Sequence, residues 1–169
     1  HPAPNENADG ASKTSGLPEV TLFITAYNEE KVVDGKMKNC HELDYPKDKL
    51  KIVWVTDGSN DHTNDKLKGY ADATVLFTPE RKGKTAAMNR GMRFVTTPIV
   101  VFTDANTFIN NQAIREIVNC FNNPKVGCVA GEKRVDMNSA AGAAAGGEGL
   151  YWKYESFLKK LDYRLYSAI

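Results

Sequence analysis

The chain has 169 residues, 41% of them hydrophobic and 25% charged, with a net charge of +1. That length suits one domain with a real core, and so small a net charge supplies no field that would favour nucleic acid or an anionic membrane as partner. No stretch approaches the roughly 18 consecutive apolar residues of a membrane span, and no signal-peptide pattern is visible; both statements concern these residues and not a longer parent.

Residues 1–17 are polar and aperiodic, with Pro, Gly, Asn and Ser, and read as a disordered lead-in or linker. From Val20 the run VTLFITA reads as a buried strand, followed by a helix in which Val32, Val33, Met37 and Cys40 recur at helical spacing. Pro46 marks a turn and KIVWVT a second strand. DGSNDHT is a loop in which Asp61 or Thr63 can cap a short helix to Tyr70. Ala73 to Phe77 is a third strand, TPERKGK a loop, and Thr85 to Val95 a helix. Ile99 to Thr103 is a fourth strand, read as buried on both faces because its apolar run is almost unbroken. A helix over Asn111 to Phe121 and a fifth strand over Val126 to Ala130 complete the alternation. Strands alternating with helices require a mostly parallel sheet with helices on both faces. Residues 18–136 therefore form the main α/β unit, 137–149 a flexible small-residue loop, and 150–169 an amphipathic helix that stops without a cap at Ile169.

Chemistry collects where strands end. Polar residues follow three strands directly: Thr25 to Glu29, Asp57 to Thr63, and Asp104 to Thr107. In an open parallel sheet ligands bind beyond the carboxyl ends of the strands, so three such ends on one edge form a constellation. Each piece alone has a plainer explanation. Asn28 and the two glutamates of TAYNEE can cap a helix and favour its positive end. Asp57-Gly58 can be only a turn. The functional alternatives are a Glu29 carboxylate facing a nucleoside, and an Asp57 carboxylate bonded to a base imide or ribose hydroxyl. Asp104 and Asn106, two apart on an extended chain, can aim at one point, the arrangement that two oxygen ligands of a hard divalent cation need.

RKGKTAAMN contains Gly-Lys-Thr before a helix, but a Walker A loop needs glycine at position 78, which is Thr78. A lysine and a helix N-terminus suited to phosphate remain. GxGxxG is absent, so a dinucleotide fold has no support. His1, His41 and His62 form no catalytic arrangement. The cysteines Cys40, Cys120 and Cys128 match no zinc spacing; an odd, small count fits free, buried thiols in a reducing compartment.

The ordered set TAYNEE, VTDGSNDHT, RKGKTAAMN, VFTDAN and GCVAGEKRV resembles the family 2 glycosyltransferases of the GT-A fold, from about Pro18 to about Arg134. YWKYE, Tyr151 to Glu155, is similar to the segment after the donor half in the cellulose- and hyaluronan-synthase-like group. The resemblance implies a Rossmann-like nucleotide-diphospho-sugar transferase fold, truncated at its C-terminus, and an inverting transfer from a nucleotide sugar, with UDP the expected nucleotide, to a glycan or lipid-linked acceptor. It implies nucleotide contacts from Thr25, Ala26, Tyr27, Glu29, Asp57, Gly83, Lys84, Asn89, Asp104 and Ala105. Mg²⁺ or Mn²⁺ would sit on Asp104 and Asn106, where the amide replaces the second acid of the family's DxD motif and weakens the site by one charge. The general base is expected beyond Ile169; Asp136 and Glu148 match no family motif. The parent is expected at the inner or plasma membrane with its active face toward the cytoplasm. Two alternatives remain: a catalytically inactive nucleotide-sugar-binding module, and a sugar nucleotidyltransferase, which the acidic TAYNEE argues against.

Overall fold

The computed structural model describes residues 16–132. The expectations for the lead-in up to Ser15, the 137–149 loop, the 150–169 helix, Asp136 and Glu148 lie outside those residues. A first compact unit runs to Cys120 and a second begins at Phe121.

The first unit contains β1 (Val20–Ala26), α1 (Val33–His41), β2 (Leu50–Asp57), α2 (Thr63–Leu67), β3 (Ala73–Thr78), α3 (Lys84–Met92), β4 (Ile99–Asp104) and α4 (Ala113–Cys120). The strands form one sheet in the order β3-β2-β1-β4, with every neighbouring pair parallel. The chain steps outward from β1 to β2 to β3, then returns across β1 to lay β4 on its other side. That reversal puts the topological switch point between β1 and β4, the place at which open α/β sheets bind ligands.

Strand alternation sorts the core into two layers. Leu22, Ile24, Ile52 and Trp54 pack with Val33, Met37 and Cys40 of α1, Leu67 of α2, and Ile114 and Val118 of α4. On the opposite face Phe23, Val53 and Val55 pack with Ala87 of α3. Gly91 lets α3 approach closely: a Cβ there would lie 2.4 Å from Phe23 Cζ and 2.6 Å from Val55 Cγ2.

Three expectations need correction. β4 is not buried on both faces: among the described residues its one strand neighbour is β1, its side chains are only partly covered, and Phe102 is 47% exposed. The apolar run records a strand but cannot say how many neighbours it has. The segment 126–130 is irregular among the described residues, with a turn bond from Val126 N–H to Asn123 O just before it. Gly127 lies inside this short run, where it weakens a strand. Of the three free cysteines only Cys40 is buried, and burial pushes its thiol up to about 11; Cys120 and Cys128 are exposed.

Candidate functional site

The carboxyl ends of β1, β2 and β4 lie side by side because β1 pairs with both of the others. At normal strand spacing the ends of β2 and β4 are about 10 Å apart, the scale of a nucleoside diphosphate's reach. Thr25 and Asp104 are register partners, and Thr25 Oγ1 lies 3.5 Å from Asp104 Oδ1.

Asp57 ends β2 on the α3 face and is 5% exposed. Its Oδ2 accepts the backbone N–H groups of Lys82 and Gly83, at 3.0 and 2.7 Å. Its Oδ1 is buried and has no hydrogen-bond partner. Leaving a buried acceptor unpaired costs about 1–3 kcal/mol. Gly58, with φ of 69°, is needed where it stands, since a Cβ would meet Arg81 N at 2.6 Å. The segment around Arg81 therefore lies directly against the turn after β2. Arg81 also stacks over the Tyr27 ring, its guanidinium carbon 3.8 Å from the ring centroid.

Gly83, with φ of 88°, precedes α3, and the next residue closes the gap to β4. Lys84 Nζ lies 2.6 Å from Asp104 Oδ1 in a half-exposed ion pair. Asp57 and Asp104 are thus joined through the start of α3: one holds Gly83, the other receives Lys84.

The loops after β1 and β2 are stitched together. Asn28, at φ 53°, donates its N–H to Ser59 Oγ and exchanges two bonds with Asn60, from Nδ2 to Asn60 Oδ1 and from Asn60 N–H to its own Oδ1. It does not cap α1; the cap position is Val32, with no side-chain bond. The left-handed backbone, which Asn tolerates, turns the amide toward the neighbouring loop instead. Glu29 N–H bonds Thr63 Oγ1 at 2.8 Å, and Glu30 N–H bonds Asp61 Oδ2. Asp61 Oδ1 also accepts the N–H and hydroxyl of Thr63, but neither residue is the cap of α2; the cap position is His62, with no side-chain bond. Burial pushes the Asp61 carboxyl up, but these bonds outweigh it and the net displacement is downward. The Glu29 carboxyl is raised, first by burial and then by the charges of Asp61 and Asp104. It therefore senses the β4 end from the β1 loop.

The chain does not continue extended through Asp104-Ala105-Asn106. It turns, with Thr107 N–H bonded to Asp104 O at 3.1 Å. Strand alternation therefore does not set the direction of Asn106, contrary to the extended geometry expected. Ala105 is buried in the core and Asn106 is exposed, with no hydrogen bond among the described residues. Ala26 is buried in the same apolar layer, so Ala26 and Ala105 can offer a ligand only backbone. Asn89, five residues into α3 from Lys84 and about 140° around the axis, makes no hydrogen bond to the other candidates.

The donor set fits a cation carried by a phosphate. No group of three or more His, Cys, Asp or Glu able to hold a metal occurs among the described residues. One carboxylate and one amide carbonyl leave most positions for phosphate oxygens and water, the usual manner of Mg²⁺ with nucleotides.

One residue was missed. Lys36 is fully buried on α1 and reaches the β4 end from beneath, its Nζ donating to Thr103 Oγ1 at 3.0 Å and to Thr107 O. Burial pushes its ammonium below the usual lysine range, opposed by Cys40 and Asp104. The sequence carried a signal: Val33, Lys36, Met37 and Cys40 share one helix stripe, and a lysine among three apolar residues needs an interior partner.

A parallel α/β sheet with its polar loops gathered at the switch point is an arrangement that solved glycosyltransferases of the GT-A fold share. A mannosyltransferase from Pyrobaculum calidifontis, solved with GDP-Man and Mn²⁺, matches with a TM-score of 0.64 and 33% identity over 73% of this chain and 39% of that one. Staphylococcus aureus TarS, residues 1–349, shares the fold with a TM-score of 0.58 at 20% identity over 62% of this chain and 32% of its own. The family model for glycosyl transferase family 2 matches residues 21–161, and the chain belongs to that family. It is 33% identical over 132 residues to the probable glycosyltransferase YdaM of Bacillus subtilis. It is 29% identical over 128 residues to the poly-beta-1,6-N-acetyl-D-glucosamine synthase of S. aureus. Each match covers 73% of this chain and 31% of the relative, so the chain spans under a third of those proteins.

Proposed function

We propose that this chain is the donor-binding part of an inverting glycosyltransferase that uses a UDP-sugar. The observation that carries the reading is the joining of Asp57, Gly83, Lys84 and Asp104 by direct contacts at one edge of the sheet, with a buried carboxylate oxygen left unpaired. Asp57 Oδ2 is filled by two backbone N–H groups, so only Oδ1 is free to accept. Uracil offers one imide N–H. Guanine offers a ring N–H and an amino group side by side, and a second acceptor is missing. This favours UDP over the GDP-sugar reading that the mannosyltransferase suggests. Oδ1 is closed to solvent, so base entry requires a local shift of the segment lying over Gly58.

Tyr27 offers the base a stacking face once Arg81 moves, while the Lys84 ammonium and the N–H groups opening α3 face the diphosphate. A divalent cation held by Asp104 and Asn106 would offset the charge that builds on the leaving diphosphate. Asp104 would hold such a cation in place of Lys84, whose ammonium would then be free to pair with a phosphate oxygen. The acceptor hydroxyl attacks the anomeric carbon as the nucleoside diphosphate departs; its proton goes to a base outside the described residues. The acceptor is a glycan or lipid-linked sugar, and the donor face is cytoplasmic on a membrane-linked parent.

Isothermal titration with UDP, GDP and dTDP, with and without Mn²⁺, tests the reading on wild type and Asp104→Ala. UDP should bind best, and the substitution should remove the Mn²⁺-dependent increment. No binding of any nucleoside diphosphate at millimolar concentration ends the donor-site reading. Binding that ignores both Mn²⁺ and Asp104 ends the metal assignment alone.

A further inference from the structure

We infer that Lys36 is a positioning residue: its buried ammonium clamps both ends of the Asp104–Thr107 turn and so fixes where that turn presents the cation-binding oxygens. The inference rests on the donor-site reading above. Nζ bonds Thr103 Oγ1 just before the turn and Thr107 O at its end, while Thr107 N–H closes the turn onto Asp104 O. One turn further along α1, Asn39 holds Ile109 from both sides, accepting its N–H and donating to its C=O. Ala105 is sunk in the core between these anchors. The turn is therefore held from below at three points, with Asp104 and Asn106 exposed on either side of buried Ala105.

Packing alone does not explain a lysine here. The neighbouring stripe residues Val33, Met37 and Cys40 are apolar, and an apolar side chain would avoid the cost of a buried charge. No carboxylate lies within ion-pair distance of Nζ among the described residues; its two partners are a hydroxyl and a carbonyl of the turn. A turn with one acid and one amide has weaker charge attraction for a cation than two acids, so it depends more on preorganised geometry. Asp104 leaves β4 on the α3 face and Thr103 on the α1 face, so Lys36 supports the site without occupying it.

Hydrogen exchange and titration on the 169-residue chain test this with Lys36→Met and Thr103→Val. In Lys36→Met the Thr107 and Ile109 amides should exchange at least about tenfold faster, with β1 and β2 amides unchanged within about twofold. The affinity for UDP measured with Mn²⁺ should fall about tenfold, while that for UDP alone stays within about twofold. Thr103→Val, which keeps the lysine, should show the same pattern at about threefold. A general structural role would instead speed exchange throughout α1 and β1 and lower both affinities together, which overturns the inference. Unchanged exchange in the turn, or a retained Mn²⁺ increment in folded Lys36→Met, also overturns it. If Lys36→Met does not fold, Thr103→Val decides by the same criteria. A wild type that binds no UDP ends the donor reading, and exchange at Thr107 and Ile109 then decides the anchoring by itself.

Discussion

Exchanging one atom at Asp57 should reverse a base preference. In Asp57→Asn the amide oxygen takes the N–H groups of Lys82 and Gly83, which need an acceptor, and this leaves the NH₂ where Oδ1 now stands unpaired. The wild-type acceptor suits the N3–H of uracil. The variant's donor opposes it and suits cytosine, whose N3 is an acceptor. A hydrogen bond to a charged group is worth about 1.5–3 kcal/mol, so UDP affinity should fall roughly tenfold to 150-fold. CDP affinity should rise by a neutral bond, about 0.5–1.5 kcal/mol or roughly two- to tenfold. The two backbone bonds survive in neutral form, so loss of stability should stay near about 1 kcal/mol and the variant should fold. Titration with UDP and CDP at constant Mn²⁺, with circular dichroism as the fold control, reads both changes. A folded variant whose UDP and CDP affinities move together, or do not move, refutes the placing of the base against Asp57.

Further expectations test separate links. Lys84→Met breaks a pair whose side chains are 61% and 49% exposed, so stability to urea should change by less than about 1 kcal/mol while UDP affinity falls about tenfold; equal UDP binding would remove Lys84 from the diphosphate site. Gly91→Ala puts a Cβ against Phe23 and Val55 and should destabilise by about 1–3 kcal/mol, read as a lower urea midpoint; an unchanged midpoint would mean the α3–sheet contact is looser than described. Glu29 has a raised carboxyl, so the fold favours its protonated form and loses that advantage as pH rises from the ordinary glutamate value through the raised one. Glu29→Gln removes the ionised penalty, so its melting temperature should exceed wild type by more at pH 7 than at pH 4; an equal difference at both would show that neither burial nor the charges of Asp61 and Asp104 raise this carboxyl.

Much of the fold was legible because its signals are local. Four apolar runs at the right spacing required a parallel sheet, and the polar residues after β1, β2 and β4 do lie at one edge of it. The misreadings share a cause. Burial of β4 depends on how many strands flank it, which a run of Ile and Val does not encode. The geometry of Asp104 and Asn106 depends on a backbone bond from Thr107, and the partner of Asn28 sits 32 residues away in Asn60. The partners of Lys36, Thr103 and Thr107, lie 67 and 71 residues away, beyond the reach of any local pattern.

Composition and order by themselves determined the layered α/β class and the loops that carry chemistry, because strand and helix periods and turn residues act over a few positions. Only the tertiary structure decided that Asp57 keeps one carboxylate oxygen unpaired, that Lys84 reaches Asp104, and that a buried lysine grips the turn after Asp104. Those facts join residues 20 to 71 positions apart, and contacts at that range exist only once the crossover from β3 to β4 has brought the strand ends together.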